Sequence, residues 1–355
     1  LEKTNTRAVG LVLLIVLLIA GITLSGCAGQ EEPKTTPTAT PAGTQTPAQT
    51  PSKPVSLTTA GGTPGGTGFA IMSATMSITS KYYPEINYNI VPGGWVGNIP
   101  RIDKGELDVA HTTVTAATLA KKQLGPFEGK AVPQNARGVF VDQIEIYYYI
   151  VARADFPYDT VEDIAKAQYG IKITNQPKGT FGGWVWDRIF SDMGMDEKTI
   201  KSWGGGLTRV AWSDAASLLR DGHVDAILAV SGKKVGWLEE ITSLKDVKYV
   251  GVTDETADKI AKEYGLQKVV IPAGTLPKQK EDIIGFKDTG YIIANKNVPD
   301  SVIYKIAKAV AEHPDEFRTQ HAMLATFKPG KGMYELSPFP LHPGAEKAYK
   351  ELGYI

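Results

Sequence analysis

Two stretches of this chain read alike: Ile102-Asp103-Lys104-Gly105-Glu106-Leu107-Asp108-Val109-Ala110 and Leu219-Arg220-Asp221-Gly222-His223-Val224-Asp225-Ala226-Ile227. Each reads as a helix end, a glycine C-cap, a short turn, an aspartate and then a buried strand. Either helix-to-strand connections happen to look alike, or two lobes of one protein reuse one unit. A second match joins the first: Tyr147-Tyr148-Tyr149-Ile150-Val151-Ala152-Arg153 and Gly290-Tyr291-Ile292-Ile293-Ala294-Asn295-Lys296. These two strands are expected to be the crossings between lobes, with lobe one at 55–147 plus 296–355 and lobe two at 148–295.

Around these repeats, short apolar strands alternate with amphipathic helical stretches. Strands are expected at 55–59, 86–91, 107–112, 143–153 and 170–175. Helices are expected up to about Lys81, at 96–104, to Ala167 after a cap at Asp159 or Thr160, and to Val310 after a cap at Asp300. Such alternation predicts an α/β fold of mostly parallel sheets with helices on both faces.

The first 54 residues stand apart. Glu2, Lys3 and Arg7 precede the uncharged stretch 8–30, whose centre is almost all Leu, Ile and Val. A charged start, a short apolar run and then small residues form a secretory signal pattern. The apolar part is shorter than the roughly 20 residues a spanning helix needs. It ends in Leu24-Ser25-Gly26-Cys27, which resembles a lipobox, cleaved before the cysteine whose sulfur then carries a diacylglyceryl group. Two acyl chains hold firmly where one would not. The competing reading is an uncleaved transmembrane anchor with an incidental cysteine. Residues 28–54 hold seven Thr and six Pro and no aromatic, Leu, Ile or Val residue. Such a segment cannot bury enough apolar surface to order itself and reads as an extended tether. The expected organisation is a signal peptide at 1–26, a lipidated Cys27 and tether over 27–54, and a globular body on the outer face of a cell membrane.

The formal net charge of zero over 355 residues leaves no basic footprint, so nucleic-acid binding has no support. One cysteine excludes a disulfide within the chain and a cysteine-based zinc site. Five histidines without a His-x-x-x-His pair give no transition-metal motif, and no metal or cofactor is expected.

Ligands of open α/β sheets bind beyond the carboxyl ends of strands, against helix N-termini. Four loops fit that position: 59–67, 92–98, 177–183 and 230–232. They make Thr59, Gly62, Thr63, Gly94, Trp95, Asn98, Gly179, Thr180, Phe181, Ser231 and Gly232 candidate ligand residues, together with His111 and Thr112 at a strand end. Glycines let backbone N–H groups approach a ligand, and helix N-termini favour an anion. Nucleotide binding is set aside, because the first loop fits neither G-x-x-x-x-G-K-[ST] nor G-x-G-x-x-G. Catalysis finds no nucleophile–base pair, and Ala229-Val230-Ser231-Gly232-Lys233 misses the G-x-S-x-G elbow. His111 reads either as a cleft residue or as a hydrogen-bonded structural one, and His342 reads as structural. Trp95 reads as cleft wall or as core, while Trp186 and Trp212 read as core. The loops carry no arginine. Arg101 is expected on the outer face of its helix, and Arg153 is the one candidate anion clamp.

With these loops in view, the chain resembles the TRAP-associated extracytoplasmic immunogenic (TAXI) family of solute receptors. The matching stretches are Thr59-Ala60-Gly61-Gly62-Thr63-Pro64-Gly65-Gly66, the loop from Gly93-Gly94 to Asn98, and Ile102 to Ala110. Ile271-Pro272-Ala273-Gly274-Thr275-Leu276-Pro277 and Pro340-Leu341-His342-Pro343-Gly344-Ala345-Glu346-Lys347-Ala348-Tyr349 complete them. The resemblance implies a type II periplasmic-binding-protein fold, two α/β lobes joined by two crossover strands with a ligand cleft between. It further implies a non-enzymatic receptor that hands a small organic acid, a dicarboxylate or acidic amino acid, to the membrane-embedded subunits of an ion-driven TRAP transporter. The family usually has Ser after the Gly-Gly of the second loop. Trp95 stands there in this chain, removing a hydroxyl and adding an aromatic wall, which suits a ring-bearing or partly apolar acid. A receptor for an ATP-driven importer, or a secreted enzyme on the same fold, are the alternative readings.

Overall fold

The computed structural model describes residues 54–63 and 66–355. The signal peptide 1–26, the lipidation site Cys27 and the tether up to Lys53 lie outside the described residues, as do Pro64 and Gly65. The strands are β1 (Val55–Ala60), β2 (Ile86–Val91), β3 (Val109–Thr113), β4 (Ala136–Val141), β5 (Ile146–Arg153), β6 (Lys172–Asn175), β7 (Gly206–Arg209), β8 (Ala226–Ser231), β9 (Val247–Val250), β10 (Gln267–Ile271), β11 (Ile283–Asp288) and β12 (Gly290–Asn295).

They form two sheets. The first has the order β2-β1-β3-β12-β4, with β1 parallel to β2 and β3, and β12 antiparallel to both its neighbours. The second has the order β10-β11-β5-β8-β6-β7, with β9 also on β5. There β6 is parallel to β7 and β8, while β5 runs antiparallel to β8, β9 and β11. The sheets are therefore mixed rather than mostly parallel. The reason is topological: a strand that arrives from the other lobe enters its sheet from the opposite end.

The two sheets repeat one pattern, β2-β1-β3-β12 against β7-β6-β8-β5, and the two echoed sequences occupy equivalent places in it. Gly105 and Gly222 both take the left-handed conformation, φ +75° and +76°, which glycine adopts without a Cβ clash. The two aspartates that follow then do the same work. The Asp108 N–H donates to the Thr58 carbonyl at 2.8 Å, and its carboxylate accepts from the Thr58 N–H at 2.7 Å. Asp225 does the same with Lys172, its carboxylate accepting at 2.8 Å. Their carbonyls accept from Asn295 and Arg153, each at 2.9 Å, the residues that end β12 and β5.

The matched strands β5 and β12 are thus the antiparallel partners of β8 and β3. The crossings themselves are the short links 142–145 and Thr289. The division at 295/296 put Gly290–Asn295 in lobe two, whereas β12 pairs with β3 and β4 in the first sheet. Other boundaries also move, among them the start of the strand expected at 170–175, which is Lys172. The strand expected at 143–153 begins at Ile146, because 142–145 is the link. The strand expected at 107–112 begins at Val109, because Asp108 is engaged as a turn residue. Asp300 is the first helical residue, not the cap, which is Pro299. Thr160 is the cap of helix Val161–Lys166 and accepts from the Asp163 N–H at 3.2 Å.

The buried apolar side chains form two clusters, a large one that spans both sheets and a smaller one on one face of the second sheet. Trp186 lies within the large one, 1% exposed, with its indole N–H donating to the Ala229 carbonyl at 3.0 Å. That pairing makes an indole tolerable in a core, and truncating such a side chain costs roughly 3–5 kcal/mol. Among the described residues no helix is long and apolar enough to cross a membrane.

Candidate functional site

The segments that follow β1, β2, β6 and β7, with Val230 near the end of β8, meet at one cleft and come from both lobes. The cleft is lined by Gly62, Thr63, Gly66, Thr67, Gly68, Gly93, Gly94, Trp95, Gln176, Thr180, Phe181, Trp212 and Val230. Four helices begin in this lining, the fourth being Trp212–Arg220 after its Ala211 cap. Thr67–Tyr82 is capped by Gly66, Trp95–Lys104 by Gly94, and Phe181–Asp192 by Thr180. The first turn of a helix leaves backbone N–H groups without intrahelical partners, and the macrodipole gives that end about half a positive charge. Thr180 satisfies one of them, its hydroxyl accepting from the Gly183 N–H at 3.2 Å. The two lobe-one helices have glycine caps with no side chain to do so. None of the lining side chains is charged. The cleft brings helix N-termini, hydroxyls and one amide together, an arrangement that suits an anion.

Of the residues expected from sequence, Gly62, Thr63, Gly94, Trp95, Thr180 and Phe181 line the cleft. Thr59, Asn98, His111, Thr112 and Ser231 do not; they are buried in the walls. Each has a structural bond. The Thr59 hydroxyl donates to Asn89 O at 3.1 Å. The Asn98 amide donates to Gly61 O at 2.7 Å and His111 O at 2.8 Å, and its oxygen accepts from the Gly94 N–H at 3.2 Å. The Thr112 hydroxyl donates to the Trp95 carbonyl at 2.7 Å. These bonds hold the second loop against the first. Gly179 and Gly232 lie outside the lining, Gly232 against Met323 of lobe one.

His111 is fully buried behind Trp95. Its Nδ1 accepts from the Trp95 indole N–H at 3.0 Å, and its Nε2 lies 2.9 Å from Asp142 Oδ2. Because the indole only donates, the imidazole lone pair is on Nδ1 and the proton on Nε2 faces the carboxylate. Asp142 Oδ1 in turn accepts from the Ile144 N–H at 3.1 Å, inside the first crossing link. One chain of bonds therefore runs from the cleft wall to the hinge. Helix Thr67–Tyr82 packs so closely here that a Cβ on Gly68 would lie 2.8 Å from Trp95 Nε1.

Arg153, the candidate anion clamp, sits at the end of β5 remote from the cleft. It is paired with Asp155 at 2.6 Å and Asp225 at 3.0 Å. The antiparallel course of β5 puts its start, not its end, beside the cleft. Arg101 donates to Pro92 O at 3.1 Å. His342 caps the last helix, Nδ1 accepting from the Gly344 N–H at 3.2 Å, and burial pushes its pKa down.

Gly66, Thr67, Gly68, Gly93, Gln176, Trp212 and Val230 also line the cleft and were not among the candidate residues. Gly66, Thr67, Gly93 and Val230 lie within the loops identified above, and Gly68 and Gln176 directly adjoin two of them. Trp212 was assigned to the core from its helical setting. It is the first residue of helix Trp212–Arg220, half-buried, stacked on Trp237 with ring centroids 5.1 Å apart. Among the described residues no group of three or more His, Cys, Asp or Glu side chains could hold a metal ion.

The sequence pattern of the NMT1-like family matches residues 59–353. Among solved structures, the periplasmic binding protein BugD is similar at 15% identity over 86% of this chain and 99% of its own, with a TM-score of 0.50. The malate-bound MatC of Rhodopseudomonas palustris is similar at 15% identity over 84% of this chain and 97% of its own, with a TM-score of 0.49. At such identities the likeness to BugD is one of fold: a two-lobed periplasmic-binding-protein architecture.

Proposed function

The chain belongs to the NMT1-like family, and on that premise we propose that it is an extracytoplasmic solute-binding receptor that captures a small organic acid for a membrane transporter. The observation that carries this reading is the cleft itself. Two lobes contribute helix N-termini, hydroxyls and aromatic walls to one space, with no charged side chain in the lining. Such a site recognises a carboxylate through backbone N–H groups and needs no covalent chemistry. Solute binding favours the closed arrangement by its differential affinity for it, and the transporter distinguishes closed from open. The TAXI motifs point to a secondary TRAP-type transporter as the recipient, so ion coupling belongs to the membrane partner. A diacylglyceryl group on Cys27 with the Thr/Pro tether would hold the receptor at the outer face of the membrane.

Mass spectrometry of small molecules released from gently purified full-length protein tests the receptor reading. Recovery of a stoichiometric organic acid is the expected result, and a turned-over product instead of a bound solute would point to an enzyme. For the anchor, intact mass should show a diacyl adduct on a chain that begins at Cys27. A Cys27→Ala protein that stays equally membrane-bound and unprocessed would assign a helical anchor instead.

A further inference from the structure

The cleft has uncharged polar anchors only and aromatic walls on both sides. We infer that its solute is an aromatic monocarboxylate, with the carboxylate on the lobe-one helix N-termini and the ring held among Trp95, Phe181 and Trp212. This narrows the receptor reading above and rests on it.

Charge is the first argument. A dicarboxylate would bring a second anionic group into a lining that has no cationic side chain. An amino acid would bring an ammonium with only neutral acceptors, such as Gln176 and the threonines, to meet it. Burying an ion without a partner of opposite charge is strongly unfavourable. One carboxylate can be met by the unpaired first-turn N–H groups, and the remainder of the molecule is then best apolar.

The second argument is that each aromatic wall is held in place by a group outside the cleft. The Trp95 indole N–H is taken by His111 at 3.0 Å, so Trp95 offers the solute its ring and not its donor. Trp212 stacks on Trp237 with an interplanar angle of 9°, and Phe181 stacks on Trp184 with ring centroids 6.0 Å apart and an angle of 8°. Walls fixed before the ligand arrives spare the ordering cost of binding. Trp95 belongs to lobe one, Phe181 and Trp212 to lobe two, so a flat ring touches both lobes and favours closure.

The test titrates the full chain with benzoate, phenylacetate and 4-hydroxycinnamate, and separately with succinate, L-glutamate and glycine betaine. Calorimetry and tryptophan fluorescence are the readouts. At least one aromatic acid should bind about tenfold or more tightly than either aliphatic acid, and should perturb the tryptophan emission. Trp95→Ser and Trp212→Ala should each weaken that binding about tenfold, while Trp212→Phe stays within about threefold of the parent. Circular dichroism and melting of each variant report whether it remains folded. Tighter binding of succinate or glutamate would overturn the aromatic assignment and leave the organic-acid receptor standing. Binding of glycine betaine without the aromatic acids would give the walls to a cation and overturn both readings. Silence toward the whole panel would also overturn both. An aromatic acid whose affinity ignores both tryptophan variants would remove the ring from these walls.

Discussion

Asp288 is buried where β11 ends, and desolvation pushes its carboxyl from 3.8 up to about 6. Its Oδ1 accepts from the Thr289 N–H at 2.8 Å and the Thr115 N–H at 3.2 Å, which ties the second crossing to the start of helix Val114–Lys122. Its Oδ2 has no hydrogen-bond partner, nor does the buried Tyr148 hydroxyl, whose pKa burial also pushes up. Asp288 and Tyr148 share a sheet face, since Asp288 pairs with Ile146, two residues before Tyr148. Between about pH 4 and pH 6 the folded chain keeps a proton on Asp288 that the unfolded chain has released. Stability therefore falls as pH rises through that window and is level above it, by roughly 3 kcal/mol in all. Asp288→Asn keeps an acceptor for both N–H groups and does not titrate. Its denaturant midpoint should lose this acid-side slope and exceed the parent's at pH 7. A slope unchanged by the substitution would assign the effect to another group. No sequence pattern marks Asp288, because its burial depends on two crossings that meet only in the folded chain. His111 shows the same limit. Its place at a strand end was legible, but whether its ring faced cleft or core was set by the Trp95 and Asp142 partners around it.

The elements were the most legible level of the fold, and the echo explains why. A glycine stop, an aspartate and an apolar strand is a local instruction, and both copies carry it out in the same way. Strand pairing was less legible. The five short strands β4, β7, β9, β10 and β11 drew no separate reading, and their partners lie far off in sequence. The echo also makes a paired prediction. Asp108→Ala leaves the Thr58 N–H without its carboxylate, and Asp225→Ala does the same to Lys172. Losing such a charge-assisted bond costs about 1–3 kcal/mol. Asp225 also takes the Arg153 Nε–H at 3.0 Å, so Asp225→Ala should be the more damaging of the two by chemical denaturation. Equal and negligible losses would mean that the glycine and strand alone hold each connection. The cleft was half legible for a related reason. The glycine loops announced themselves, whereas Trp212 sits in a helix whose start faces the cleft only through the second sheet's packing.

At the scale of the whole molecule, closure depends on contacts that lie outside the cleft. Trp184, from the lobe-two helix Phe181–Asp192, rests on Gly125 of lobe one, where a Cβ would lie 2.7 Å from its Cη2. On another edge Met323 of lobe one covers Gly232 at the end of β8, and accepts from the Thr67 hydroxyl at 3.7 Å. Between the lobes, Gln143 takes a left-handed φ of +59° in the first crossing, held by its side chain, whose amide donates to Lys328 O at 2.7 Å. A non-glycine residue in that region costs about 1 kcal/mol, which suits a link that changes its dihedrals when the lobes part. On the receptor reading proposed above, these contacts stabilise the arrangement with the lobes together before any solute arrives, and solute affinity is scaled by the fraction of molecules in it. Trp184→Ala removes a contact made only when the lobes meet, but it also removes the ring that backs Phe181. Gly125→Ala serves as a companion, since it disturbs the same contact from the opposite lobe and leaves Phe181 supported; its left-handed φ of +59° adds a local cost of about 1 kcal/mol, which thermal melting measures separately. Both variants should open the ligand-free protein, raising its radius of gyration in small-angle scattering. If about 1.4 kcal/mol of closed-state contact is lost, solute affinity should weaken about tenfold, mainly through faster dissociation. Ligand-free scattering identical to the parent's in both variants would show that the lobes are held by the crossings alone, and that the Trp184 contact is incidental to closure.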